Sequence, residues 1–362
     1  MRLFFTQPNS LLGIAINAST LSLVDLSFKK QQYHLLSYAT VSLGEGEVVD
    51  IQIIDTERMG GRIAELVSRS HCNTKQAAIA LSTNLAITRY INLPNDFGEQ
   101  DIEAQIRVDA EQYIPYPLAE VSLDFEVLGV AKEDPHLNEV LLVVSRTEYI
   151  EQHTDALIFS GLKPKIVEVD DQAIQRTSQL MFSSHLDYPS TIALVDIGQS
   201  RTTVYIAHQG QFVYQLQQLF GDSQLTSAIA LHYSLTSDEA EQARLSPDLL
   251  SNHHSFNNYD SLIFQPFITT LKEHLTLAFE QYATTETKIN EEVGQLILCG
   301  RGSVLSQIDK QLAQELSLPV TLANPFNSMT ISASIDDEQL LKDAPQLMTA
   351  CCLTMRCRTV RH

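Results

Sequence analysis

Three short stretches carry residue types that can hold a phosphate. Val195-Asp196-Ile197-Gly198-Gln199-Ser200 runs from an apolar strand into a small polar turn, and Thr202 opens the returning strand. In such a turn, backbone N–H groups converge on an anion, hydroxyls add donors, and an aspartate at the strand end can hold Mg2+ through water. Ile14-Ala15-Ile16-Asn17-Ala18-Ser19-Thr20 repeats the pattern. Position 196 follows position 15 by 181 residues (196 − 15), half of the 362-residue chain. Like hairpins at half-length point to two related domains. Leu296-Ile297-Leu298-Cys299 then breaks into Gly300-Arg301-Gly302 ahead of a helical pattern. That passage lets backbone approach a base or ribose, and a helix N-terminus favours an anion. The candidate nucleotide ligands are Asn17, Ser19, Thr20, Asp196, Gly198, Gln199, Ser200, Thr202, Gly300, Arg301 and Gly302, with Asp196 also the candidate Mg2+ ligand. Either hairpin alone is common without a ligand; their order carries the reading. No residue stands by motif as a general base. His253-His254 reads as a polar surface loop, and Asp170-Asp171, between strand and helix, as an N-cap.

The elements that must position these turns follow from hydrophobic period. Strands are predicted at 11–26 as a hairpin, then at 33–43, 76–81, 87–93, 121–130, 139–145 and 165–169. A second hairpin is predicted at 191–206, with strands at 212–217, 296–299 and 320–322. Helices are predicted at 56–70, 101–113, 148–160 (with Gly161 as its cap), 171–180, 263–282, 304–316 and 345–355. The stretch 183–190, with Pro189, is the candidate boundary between halves.

Composition excludes whole classes. At 44% apolar the chain can build sizeable cores, so it is neither disordered nor fibrous. With 24 basic against 44 acidic residues, a net charge of −20 repels nucleic-acid phosphates and anionic lipid. Apolar runs such as Val140–Val144 fall far below the roughly 20 residues of a spanning helix. The first residues lack a signal-peptide pattern, so a cytoplasmic location is expected, without direct membrane insertion. Five cysteines match no paired zinc spacing, and Cys351, Cys352 and Cys357 read as small buried side chains of a terminal helix.

Ala110-Glu111-Gln112-Tyr113-Ile114-Pro115-Tyr116-Pro117-Leu118, continuing into Val121-Ser122-Leu123-Asp124-Phe125, resembles a signature of the PilM family. These are actin-like proteins of the type IV pilus inner-membrane assembly complex, relatives of the actin/Hsp70/FtsA fold. Gly161-Leu162-Lys163-Pro164, Val195-Asp196-Ile197-Gly198, Asn324-Pro325-Phe326 and the helix at 347–356 fit as well. The resemblance covers nearly the whole chain. It implies an α/β fold of duplicated actin-like (ribonuclease H-like) domains around a central cleft. The first domain spans 1–188 with a small α+β subdomain inserted at about 83–146; the second spans 189–340 with a helical insertion at about 225–290. The terminal helix, 341–362, is expected to pack back on the first.

The resemblance also implies ATP with Mg2+ in that cleft. The family's first loop resembles Gly-Ile-Asp-Ile-Gly-Ser-Ser followed by a lysine, but here Ala15, Asn17 and Ser22 stand at the aspartate, glycine and lysine positions. Arg301 replaces a small residue and is expected to crowd the base pocket. Weakened binding and no hydrolysis are therefore expected. By resemblance the chain is a scaffold of the pilus alignment complex that docks the N-terminal cytoplasmic peptide of the membrane protein PilN. It sits peripheral to the inner membrane through PilN and other proteins of the complex. Ile102, Ile106 and Tyr113 are the candidate apolar anchors for that peptide, and the acidic chain suits a basic one. The alternative is an active ATPase or sugar-kinase-like enzyme of the same fold, against which Ala15 counts. An FtsA-like filament former or a GspL-type relative calls for a membrane segment that this sequence lacks.

Overall fold

A computed structural model describes residues 10–358, apart from 45, 50, 183–188, 246–257 and 286–290. Most of the expected boundary loop and the pair His253-His254 lie outside the described residues. The chain divides into two compact units, one of residues 1–25, 38–173 and 356–362, the other of 26–37 and 174–355.

In the first unit, β1 (Ser10–Ile16), β6 (Gln76–Leu81) and β10 (Lys163–Val169) run parallel, with β2 (Thr20–Lys29) and β3 (Gln32–Ser42) beside β1, in the order β10-β6-β1-β2-β3. The hairpin tip, 26–37, clusters with the second unit, where β16 (Thr330–Ile331) pairs parallel to His34 and Leu35. Leu11, Leu12, Ile14 and Ala15 are all buried, which is why β1 reads as an unbroken apolar run rather than an alternating one. Helix α1 (Thr56–Arg69) starts where Asp55 accepts from the Arg58 N–H at 2.9 Å, and it buries Met59, Ile63, Leu66 and Val67. Each of these side chains contributes about 1.5–3 kcal/mol.

Helix α4 (Thr147–Phe159) closes against α1 at Gly60, where an added Cβ would lie 2.4 Å from the Phe159 Cβ. Its end is the expected glycine cap. Leu162 donates to the Leu157 carbonyl at 3.0 Å, Gly161 donates to Ile158 at 2.9 Å, and Gly161 has φ +80°.

Inserted between β6 and α4 is a small α+β body. β7 (Ala86–Pro94), β9 (Leu137–Arg146) and β8 (Val121–Val130) form an antiparallel sheet in that order. The predicted helix over 101–113 is two helices, α2 (Glu99–Val108) and α3 (Ala110–Tyr113). Asp109 breaks them at φ −92°, ψ 10°, its carboxylate taken by the Gln105 amide at 2.7 Å, a short polar side chain competing with the helical ladder.

The second unit repeats the first sheet's order. β13 (Gln211–Gln218), β12 (Thr202–His208), β11 (Thr191–Ile197), β14 (Gln295–Cys299) and β15 (Val320–Leu322) lie in that sequence, antiparallel along the meander and parallel from β11 to β15. Helices α5 (Asp170–Phe182), α6 (Asp222–Tyr233), α7 (Ser237–Leu245), α8 (Gln265–Thr284) and α9 (Ile308–Leu316) follow in chain order, and α8 begins beyond a π-turn at Asp260–Phe264. Phe267, Leu271 and Leu275 of α8 join Val195, Ile197, Leu296 and Leu298 in one core.

Among the described residues, α10 (Asp337–Asp343) and α11 (Met348–Thr354) follow α9. The division between units falls inside α5, before the expected break at 188, and α11 clusters with the second unit rather than the first. The cause is local: Arg176 donates to the Cys352 carbonyl at 3.0 Å and the Thr177 hydroxyl donates to the Cys352 sulfur at 2.8 Å. Cys351 and Cys352 are buried, as expected, while the Cys357 side chain is outside the described residues. Among the described residues no helix is long and apolar enough to cross a membrane.

Candidate functional site

The two predicted hairpin turns close in the same way. Asn17 N–H donates to the Thr20 carbonyl and Gly198 N–H to the Arg201 carbonyl, each at 2.8 Å and each pair displaced by the same 181 positions (198 − 17, 201 − 20). In the first turn Asn17 is exposed and Ser19 half-buried, while Thr20 is buried and Ala15 is 2% exposed where a carboxylate was sought. The Ser19 carbonyl accepts from Leu43 at 2.9 Å. Ser22 is fully buried, with its hydroxyl unpartnered among the described residues.

The second turn is built into its unit more tightly. Helix α6 begins on it: Asp222 N–H donates to Gly198 O at 3.0 Å and Ser223 N–H to Gln199 O at 2.9 Å. Gly221 is needed for that approach, since a Cβ there would stand 2.4 Å from the Gln199 carbonyl oxygen. The turn's carbonyls are thus occupied by the helix. Among the described residues the Gln199 and Ser200 amides meet no acceptor, and the buried Gln199 Oε1 meets no donor. Those donors fit a phosphate oxygen. Thr202 does not: it is fully buried, and its hydroxyl donates to the Phe220 carbonyl at 2.7 Å, because a buried hydroxyl must find a partner.

Asp196 lies against the glycine turn. Gly300 has φ +82°, and a Cβ there would fall 2.0 Å from the Asp196 Oδ1; Gly302 packs as closely on the Ile197 side chain. Both glycines serve the approach of two strands' ends. The expected helix start after them is absent: Arg301–Val304 is a 3₁₀ turn, and α9 begins at Ile308. The strand–glycine passage therefore brings no helix N-terminus to an anion.

Arg301 corrects the sequence reading most sharply. Instead of entering a base pocket, its side chain is 8% exposed and turned inward. Nε and Nη2 clasp both Asp222 oxygens at 2.8 and 2.9 Å, and Nη1 and Nη2 reach Glu241 at 3.0 and 3.1 Å. Arg244, with a fully buried side chain, completes the cluster through Glu241 at 2.7 Å and Asp222 at 3.3 Å. Burial pushes the Asp222 carboxyl above its usual range while Arg244 and Arg301 oppose that shift. Burial acts the same way on Glu241, but Arg244 and Arg301 prevail and hold it low. Asp222, Glu241 and Arg244 carried no motif. The available signal was Arg301 itself, since a cation in a buried glycine turn requires carboxylates nearby.

Asp170 is more than a cap. Its Oδ1 accepts from Asp171 N–H at 2.8 Å, from Thr83 N–H at 2.9 Å and from the Thr83 hydroxyl at 2.6 Å, tying the end of β10 to the turn after β6. Burial and then the neighbouring Asp171 push it up to about 6. Among the described residues no group of three or more acids, histidines or cysteines could hold a metal.

The predicted peptide anchors are placed differently as well. Ile102 (2% exposed) and Ile106 (0%) are consumed in the core of the small body with Ile91, Leu93, Val140 and Leu142, and Tyr113 packs half-buried against them. An amphipathic helix beside a sheet of its own buries its apolar face there first. Side-chain alternation puts Tyr90, Leu141 and Val143 on the opposite sheet face, in register with Glu126 and Asp124, and Tyr90 is 53% exposed.

Two sheets of one strand order, each entered through the same hairpin, with a small α+β body inserted in the first unit, define an actin-like protein. Residues 13–358 match the family of type IV pilus assembly protein PilM, and the chain belongs to that family. Its fold is similar to that of the PilM–PilN type IV pilus biogenesis complex, at 23% identity over 97% of this chain and 99% of that one, with a TM-score of 0.79. It is similar at greater distance to the ethanolamine utilization protein EutJ from Carboxydothermus hydrogenoformans, at 14% identity over 96% and 90% of the chains, with a TM-score of 0.52.

Proposed function

We propose that this chain is a scaffold of the pilus assembly complex that binds the N-terminal peptide of PilN and does not hydrolyse ATP. Membership of the PilM family and likeness to a PilM–PilN complex support the partner. Ala15 carries the non-enzymatic half: a methyl group buried to 2% stands where metal-assisted phosphoryl chemistry needs an acid. Nucleotide, where bound, is held in the second unit by the amides of Gln199 and Ser200, with Asp196 the candidate for Mg2+ through water. The bound metal would supply charge neutralisation of the phosphates. Thr202 and Arg301, already committed to protein partners, take no part.

For the peptide, the acid-edged sheet face of the small body replaces the helix anchors. Tyr90 offers apolar area, and Asp124, Glu126 and Glu139 offer charge to a basic segment. A synthetic PilN N-terminal peptide mixed with the full chain tests this by calorimetry. Binding that falls more than tenfold in Glu126→Lys, and is unchanged in Arg69→Ala on α1, is the expected result. Absence of binding sinks the scaffold reading, and phosphate release from Mg-ATP above background sinks the non-enzymatic one.

A further inference from the structure

Sheet edges recruit extended chains, and folded proteins guard them with charge, proline, irregularity or shortness. Among the described residues, the terminal strands of the three larger sheets are guarded to different degrees. β7 carries Arg89 and ends in Pro94, and β8 carries Asp124, Glu126 and a bulge at Leu128. β10 carries Lys163, Pro164 and Lys165 and a register break; β15 and β16 have three and two residues. β13 differs from all of them. Its eight residues, Gln-Phe-Val-Tyr-Gln-Leu-Gln-Gln, include no charge and no proline, and it ends its sheet, paired only with β12. Its one irregularity, at Val213, leaves Tyr214–Gln218 in unbroken register with β12. Leu219, 78% exposed, follows directly.

We propose that β13 is a self-association edge, pairing antiparallel with β13 of a second copy about a two-fold axis, so that the five-stranded sheet continues across the pair. Charge argues for this occupant. A net charge of −20 opposes the approach of two copies over most of their surface, and β13 is a long strand edge where no like charges meet. The backbone of an edge strand both donates and accepts, so an antiparallel edge is complementary to its own two-fold image. A basic segment would find no carboxylate on it. One strand pair is a small interface, so dissociation on the order of micromolar is expected.

Sedimentation equilibrium of the full chain across concentration tests the proposal, with Gln215→Lys/Gln217→Lys as the probe. The lysines lower the net charge, so lost association in this variant cannot come from overall repulsion. The expected result is a concentration-dependent dimer in the wild type, weakened at least tenfold by the lysines with an unchanged far-UV melt. Gln217→Cys treated with a short bis-maleimide is expected to yield crosslinked dimer, which covers the case of a poorly folded lysine variant. A wild type that stays monomeric well above micromolar concentration overturns the proposal. So does a dimer that the lysines leave intact.

Discussion

Gly300→Ala isolates the contact on which the candidate site is built. Gly300 sits at φ +82° and ψ 176°, a region occupied almost only by glycine, and an alanine held there costs about 1–3 kcal/mol in backbone strain. Its Cβ would also lie 2.0 Å from Asp196 Oδ1, 2.8 Å from the Ile197 carbonyl oxygen and 3.0 Å from the Ile197 nitrogen. The carboxylate can swing away, but the Ile197 backbone is strand β11 and moves only with the sheet. That adds a further 1–3 kcal/mol or so of overpacking. Gly161→Ala is the control, because Gly161 has φ +80° with nothing within 4 Å of its would-be Cβ, so it carries the strain alone, about 1 kcal/mol. The chain has no tryptophan, so urea unfolding is followed by far-UV circular dichroism, with hydrogen exchange of β11 and β14 assigning the loss. Gly300→Ala is expected to lose at least 1 kcal/mol more than Gly161→Ala, with faster exchange confined to the second unit. Equal losses in the two variants would show that Asp196 and Ile197 do not press on Gly300, and the reasoning about the site's geometry would fall with them.

Two other perturbations have definite signs. Arg301→Met leaves Asp222 fully buried beside one cation instead of two, so a loss of about 3–5 kcal/mol in thermal unfolding is expected; Arg301→Met/Asp222→Leu, which removes both charges of the pair, recovers much of it. A double variant no better than the single one contradicts the pairing. Asp170, pushed up to about 6 from 3.8, binds more proton in the folded than in the unfolded chain between those values. The stability it lends is present in full below about pH 4 and is lost as pH rises through 6. Asp170→Asn keeps an acceptor for Thr83, so it matches the wild type near pH 4 and exceeds it by up to about 3 kcal/mol at pH 7. Chemical unfolding at several pH values reads the gap, and a gap that does not widen with pH refutes the assignment.

The duplication was legible in residues 14–20 and 195–203 because a strand, a two- or three-residue turn and a returning strand leave a local pattern. The spacing of 181 positions recurs in the hydrogen bonds that close both turns. Apolar period likewise carried α1, α4 and most strands to within a few residues. Short pieces with little period, such as β16 and α10, were not legible, since tertiary partners rather than local preference hold them, and neither was the break at Asp109 within the helix read over 101–113.

The sequence by itself determined the doubled α/β architecture and the family, both of which rest on residue identity at local spacing. Tertiary structure alone decided what those residues meet. It turned Arg301 inward to Asp222, 79 positions away, buried Ile102 and Ile106 under their own sheet, and spent the Thr202 hydroxyl on Phe220. The physical reason is that burial makes every charge and hydroxyl find a partner, and that partner is chosen by proximity in the fold, not along the chain.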